Sequence, residues 1–324
     1  MNTITDLTDM EQQLFTTGLV PVVTIQDAGD AKGLGTALVR GGIPVAEITF
    51  RTPAAADGIR TMAQEVPEVL VGAGTVINRD LAKQAIQAGA RFIVSPGFNP
   101  RVVDYCREQN VPVIPGINNP GGIEAALEAG LTTLKFFPAE ASGGAAMIKA
   151  LAAPFPQVRF MPTGGISPKN LGDYAKIPSI LAIGGSWMVP GKAVESRSWD
   201  EIAGLCREAR TSLQGFSFAH LGINSDGEQH SSSIARFFSS LGFPVSQGAT
   251  SYFASEFLEI MKAPYRGSHG HLAIRTHNIP RAAAFLHALG FTTQDETAKY
   301  KDGRLIALYL EPEVAGFAIH LLQA

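Results

Sequence analysis

Between Val20 and Trp187, short apolar and β-branched runs alternate with stretches of helical spacing. The runs are PVVTI, PVAEITF, VLVGAGTV, RFIVSPG, VPVIPGI, TTLKFFPA, VRFMPTGGI and ILAIGGSW. Each ends in a loop rich in Gly, Pro or Thr, and they recur roughly every 20–25 residues, the length of one strand plus one helix. The stretches between them, such as DLAKQAIQAG (Asp80–Gly89) and GIEAALEAG (Gly122–Gly130), are short amphipathic helices closed by Gly. Eight such units predict an α/β fold, a (β/α)8 TIM barrel. A doubly wound open sheet is the alternative. It usually has fewer strands and a Gly-rich turn after the first, and PVVTIQDAG is not that turn.

After Arg210 the pattern changes, with TSLQGFSF as the boundary. FAHLGI (Phe218–Ile223) precedes a helical run ending ARFFSSLGF, and GHLAI (Gly270–Ile274) precedes one ending AAAFLHALGF. From strand histidine to LGF leucine the spacing is 21 residues in the first copy (His220 to Leu241) and 18 in the second (His271 to Leu289). Strand-like segments follow: SYFASEFLEIMK in the first copy, RLIALYL and FAIHLLQ in the second. This is an internal βαβββ duplication, and it predicts a smaller α+β half-barrel. The expected domains are residues 1–213 and 214–324.

A chain of 324 residues suits two domains. A formal charge of -3 with no Lys/Arg block argues against nucleic acid as a partner. No run is apolar enough to span a bilayer, and the polar, acidic Met1–Gln13 resembles neither a signal nor a transit peptide. A cytoplasmic location is the expectation. Two cysteines, Cys106 and Cys206, lie in helical stretches as core thiols and imply no disulfide framework. All seven histidines lie at position 220 or later. Acid–base chemistry in the barrel must therefore do without imidazole, and an imidazole-rich metal site can only lie in the last third.

Active groups of such barrels gather at the C-terminal ends of the strands. Lys135 lies in LTTLKFFP, on a strand where an ammonium is poorly solvated. Burial favours the neutral amine, the nucleophile that forms an imine with a ketone. Glu47, between Ala46 and Ile48, is a buried carboxylate that needs a partner or a task. A structural ion pair with Lys135 and a proton-shuttling role are both open, and they are compatible. Arg51 either grips a carboxylate or is solvated before Pro53. Gly164–Gly165 and Gly184–Gly185–Ser186 follow the last two strands, where backbone N–H groups of many barrels bind phosphate.

Taken together, PVAEITFRTP, VGAGTV, VSPGF, LKFFPAE, MPTGGISP and IGGSWMVP resemble the 2-keto-3-deoxy-6-phosphogluconate / 4-hydroxy-2-oxoglutarate aldolases, over roughly residues 10–210. The resemblance implies a class I lyase, with Lys135 as the Schiff-base lysine and Glu47 as the general acid–base. It implies Arg51, Thr75, Pro96 and Phe137 at the pyruvyl end, and Thr163, Gly164, Gly165, Gly185 and Ser186 at the phosphate end. It also implies a homotrimer, a 2-keto acid and a sugar phosphate as ligands, and no cofactor for the reaction.

The duplicated βαβββ pattern resembles the vicinal oxygen chelate superfamily, the glyoxalase I and ring-cleaving dioxygenase fold. The resemblance implies a divalent metal held by His220, Glu259, His271 and His320, three imidazoles and a carboxylate that suit Zn, Ni, Fe, Co or Mn. In glyoxalase I the last ligand is usually a glutamate, so His320 is a departure. The alternative is a half-barrel that binds nothing. His269 is a weaker candidate, and His230, His277 and His287 are expected in solvent. Two rival readings of the whole chain remain: a phosphate-binding barrel isomerase or synthase without an imine, and a metabolite- or metal-binding scaffold.

Overall fold

A computed structural model describes residues 7–324. The part of the polar N-terminal stretch at residues 1–6 lies outside the described residues. The chain divides into two compact units, one ending at Leu213 and the other Gln214–Ala324.

In the first unit, α1 (Asp9–Thr17) leads into an alternation of strands and helices. The strands are β1 (Leu19–Val23), β2 (Val45–Thr49), β3 (Leu70–Gly74), β4 (Ile93–Val94), β5 (Val113–Ile114), β6 (Gly116–Ile117), β7 (Thr133–Phe136), β8 (Arg159–Pro162) and β9 (Ile183–Gly185). The helices are α2 (Asp30–Arg40), α3 (Ala55–Glu65), α4 (Arg79–Gln87), α5 (Pro100–Glu108), α6 (Pro120–Glu128), α7 (Gly144–Ala152), α8 (Leu171–Ala175), α9 (Gly191–Glu195) and α10 (Trp199–Gln214). This is an α/β fold with parallel strands. The expected fifth strand is broken at Pro115, whose ring removes a ladder donor. Pairing runs β5-β4-β3-β2-β1-β9 and β6-β7-β8, and single bridges Phe160↔Ile180 and Thr163↔Gly184 join the segment around β8 to that around β9.

Side chains alternate along each strand. Ala46, Ile48, Val71, Ala73, Leu134 and Phe136 pack outward with helix residues such as Leu34, Ile59 and Ile148. Val20, Val45, Leu70, Phe92, Val94, Ile114 and Met161 form a separate inner cluster with Leu14 and Phe15 of α1. A capping box between Thr8 and Glu11 starts that helix. Glu11 also accepts a hydrogen bond from Thr133 and lies 3.8 Å from Arg159. The inner side is thus filled from one end, and the polar pair Glu47 and Lys135 occupies what remains.

The second unit is strand–helix–three strands, twice: β10 (Ser217–Ile223), α11 (Glu228–Ser240), β11 (Val245–Gln247), β12 (Ser251–Ala254), β13 (Leu258–Met261), then β14 (Gly270–Thr276), α12 (Ile279–His287), β15 (Thr293–Lys301), β16 (Arg304–Val314) and β17 (Phe317–Gln323). SYFASEFLEIMK is two strands, turned at Ser255, which has a positive φ of 57°. The sheet order β11-β12-β13-β10-β14-β17-β16-β15 places the modules symmetrically about the antiparallel pair β10–β14. One face packs on helices: Leu221, Ile223, Leu258 and Ile260 with Ala235 of α11, and Ile274, Leu308, Leu310 and Leu321 with Ala282 of α12. Alternation sends His220, Glu259, His271 and His320 to the opposite face.

Candidate active site

In the first unit the Lys135 amine donates to Glu47, at 3.0 Å from Oε1 and 3.4 Å from Oε2. Lys135 is 5% exposed and Glu47 1%, so the ion pair is nearly dry. Gly74 makes the room: a Cβ there would stand 2.2 Å from Glu47 Oε1. The Phe137 ring lies 5.3 Å from the amine, a cation–π distance. A buried pair of this kind is a proton reservoir, since one transfer leaves a neutral amine beside a carboxylic acid.

Arg51 follows β2 in an exposed turn and donates from Nε to Thr75 Oγ1 at 3.3 Å. Thr75 has φ 59°, a left-handed conformation that is costly for a β-branched residue. Such strain is held where a side chain must be aimed. Thr49, buried on the same strand as Glu47, is committed to the Val23 carbonyl at 2.9 Å. Across the strand ends, Thr163 Oγ1 is buried without a partner. Gly164 and Gly165 follow it with φ of 105° and 78°, a conformation that glycine adopts freely. Gly185 is buried and Ser186 exposed.

A cavity of about 240 Å³ is lined in part by Pro96, Phe98, Asn118 and Phe137, the last being the residue it shares with the surroundings of Lys135. Phe98 and Asn118 were not among the residues singled out from the sequence, although Asn118 directly follows β6 at the end where active groups gather. Both cysteines are buried, and burial pushes both thiols up to about 12, so neither is a nucleophile at neutral pH.

A model of the KDPG and KHG aldolases matches residues 10–205. The chain belongs to this family. A 2-dehydro-3-deoxy-phosphogluconate aldolase of Haemophilus influenzae is 50% identical over 190 residues, 59% of this chain and 90% of that protein. A KHG/KDPG aldolase of Escherichia coli K12 is 46% identical over 199 residues, 61% of this chain and 93% of its own. Among solved structures, the KDPG aldolase of Legionella pneumophila with pyruvate captured as a covalent carbinolamine is 38% identical at a TM-score of 0.60, covering 62% of this chain and 98% of that one. The Zymomonas mobilis aldolase with 3-phosphoglycerate is 41% identical at a TM-score of 0.58, covering 62% and 95%. This KDPG/KHG aldolase is accordingly a lyase.

The second unit carries its own cluster. His220, His271 and His320 each offer a ring nitrogen, and these atoms lie within 4.8 Å of one another. Glu259 Oε2 stands 3.2 Å from His220 Nε2 and 3.1 Å from His271 Nε2, while the two histidine nitrogens are 3.1 Å apart. Register explains the gathering: Gly222 on β10 lies opposite both Glu259 of β13 and His271 of β14. A Cβ at Gly222 would be 2.0 Å from the His271 ring, so only glycine lets the imidazole lean across the strand. Ser251 sits 2.6 Å from Glu259 Oε1 and donates to it, leaving Oε2 for the histidines.

His320 stacks on Tyr309 at 4.7 Å and 15°. Burial, then the neighbouring His271 and His220, push His320 down to about 3, so its imidazole is neutral at pH 7. Burial raises the Glu259 carboxyl, but hydrogen bonds from His220, His271 and Ser251 outweigh it and hold the group well below the usual carboxylate range. His269 lies before β14 and packs on Phe317, apart from the cluster. His230 and His287 are exposed, whereas His277 is half-buried against Gly215 rather than in solvent.

Proposed function

We propose that Lys135 captures the 2-oxo acid and Glu47 moves the protons in the reversible cleavage of 2-dehydro-3-deoxy-6-phosphogluconate to pyruvate and glyceraldehyde 3-phosphate, with 4-hydroxy-2-oxoglutarate as a related substrate. The observation that carries the reading is the buried Lys135–Glu47 pair at 3.0 Å. Transfer of a proton from Lys135 to Glu47 frees the amine to attack the C2 carbonyl. The carbinolamine that forms loses water, with Glu47 returning the proton to the departing hydroxyl. In the resulting iminium ion the C3–C4 bond breaks as the C4 hydroxyl gives its proton to Glu47. The bonding electrons flow into the iminium, leaving an enamine and releasing the aldehyde. Protonation at C3 and hydrolysis return pyruvate and the free amine. The pyruvate carbinolamine of the Legionella relative supports this sequence.

Arg51 and Thr75 are the proposed partners of the pyruvyl carboxylate, with Pro96 and Phe137 walling that end. Thr163, Gly164, Gly165, Gly185 and Ser186 are the proposed phosphate end, supported by the unpartnered Thr163 hydroxyl and the left-handed glycines. We read the parallel sheet as a complete (β/α)8 barrel, because pairing continues from strand to strand around to β9 and β1. A cytoplasmic homotrimer belongs to the same reading; among the described residues no helix is long and apolar enough to cross a membrane. Borohydride reduction with pyruvate, read by intact mass and peptide mapping, tests the mechanism. The expected result is an adduct on Lys135; folded protein with no adduct sinks it.

For Gln214–Ala324 we infer a glyoxalase-like module that holds a divalent metal through His220, Glu259, His271 and His320. The donor set fits. Ligands sharing one ion at about 2.1 Å stand roughly 3.0–3.4 Å apart, which suits the 3.1–3.2 Å separations of His220, Glu259 and His271. His320 keeps both ring nitrogens buried and unpartnered, a state an ion would resolve. Such an ion supplies Lewis acidity to a bound oxygen; Ser251 and Tyr309 orient the ligands around it. Metal content after loading with zinc or nickel, compared with His320→Ala, tests this.

A further inference from the structure

Resting on the metal reading of the second unit, we propose that its concave face takes a small 2-oxo dicarboxylate, with one end at the His220/Glu259/His271/His320 centre and the distal carboxylate on Arg266. The sheet register builds the second end. His320 lies opposite Tyr309, and Tyr309 opposite Gln294, so the three side chains share the face that carries the metal ligands. The Arg266 guanidinium stands over that row, 5.4 Å from the Tyr309 ring and 6.0 Å from the Tyr265 ring. It donates from Nη1 to Gln294, its Nε is buried with no partner, and its nearest carboxylate, Glu296, is exposed and 3.7 Å away.

Lys299 adds a second cation, its amine 5.8 Å from the Tyr265 ring. Lys299 lies opposite Ala307, two residues from Tyr309 on the same strand, and so it belongs to the same face. A guanidinium held over aromatic rings with a free N–H is built to receive a planar anion. The opposite end of the row, three neutral imidazoles and one carboxylate around a dication, also carries net positive charge. A ligand with a negative group at each end matches both. Tyr309 adjoins both ends, its ring 4.7 Å from His320 and 5.4 Å from the guanidinium. With one residue adjoining both ends, a ligand with a short backbone of roughly four or five carbons, one end on the ion and the other hydrogen-bonded to the guanidinium, suits the row.

The test uses the full-length protein loaded with cobalt(II), whose visible bands report only on the metal and so ignore pyruvate bound in the first unit. 2-Oxoglutarate, pyruvate and inorganic phosphate are titrated in turn. The expected result is a band shift with 2-oxoglutarate at about tenfold lower concentration than with pyruvate. Arg266→Gln should erase that advantage while leaving the pyruvate response unchanged, since a lost charge-assisted hydrogen bond costs about tenfold or more. Arg266→Lys, which keeps the charge but loses the planar fork, should fall between. Equal responses to 2-oxoglutarate and pyruvate, or variants that behave as the parent, overturn the inference. So does phosphate competing as well as 2-oxoglutarate. If His220-dependent cobalt bands never form, the metal reading itself fails.

Discussion

The two units each bury a knot of ionisable groups, but the knots differ in what they leave over. Lys135 and Glu47 satisfy each other, 3.0 Å apart and almost without solvent. The histidine cluster does not: His320 has two idle ring nitrogens and His271 one. A self-satisfied pair is stable while it waits, and its chemistry begins when substrate separates the partners. An unsatisfied cluster loses free energy for each buried polar atom until something binds. The first kind of site is at rest as it stands; the second has donors left over.

The largest expected effect breaks the first knot. Lys135→Ala should lower aldolase turnover by about 1,000-fold or more, because no other amine reaches the carbonyl; steady-state assay and loss of the borohydride adduct check it. Gly222→Ala should be the most damaging change in the second knot, forcing the His271 ring away and weakening zinc binding by about 100-fold, read by competition with a chelating dye. Ser251→Ala acts more gently, releasing Glu259 to rotate, with a loss of about tenfold in the same assay.

The smallest effect sharpens the comparison through pH. His320 falls from 6.5 to about 3 in the fold, so an unfolded chain binds its proton first as the pH drops. The stability of the metal-free second unit should be complete above pH 6.5 and drain away toward pH 3. Glu259, also held low, adds to the acid end of that loss. Thermal melts between these limits, with a steeper acid slope in the parent than in His320→Gln, would bear this out.

Much of this was legible in the sequence because it depends on local period. A lysine among Leu134, Phe136 and Phe137 discloses itself on its strand, and the histidines of FAHLGI and GHLAI disclose themselves through the repeated module. What stayed hidden depends on register between strands far apart in sequence. Nothing in FAHLGI says that Gly222 will face both Glu259 and His271, and nothing near Tyr265 says that Arg266 will lie on Tyr309. Likewise His269, the weaker candidate, shares a strand with His271 only if that strand begins early, and β14 begins at Gly270. The cavity beside Asn118 is assembled from loops around several strands and so has no signature in any one of them.

Helix α1 has a bearing on how this molecule can change over time. Leu14 and Phe15 join the inner cluster where the strands begin, and Glu11 ties Thr133 and Arg159 to them, one strand step before Lys135 and Met161. The inner side of these strands is therefore anchored from α1, ahead of the ion pair. Mutational drift at Leu14, Val45, Leu70 or Phe92 spends thermal tolerance without touching rate, and improvements there can offset costly changes near Glu47. The plugged end acts as a reserve on which new substrate preferences at the open end can draw.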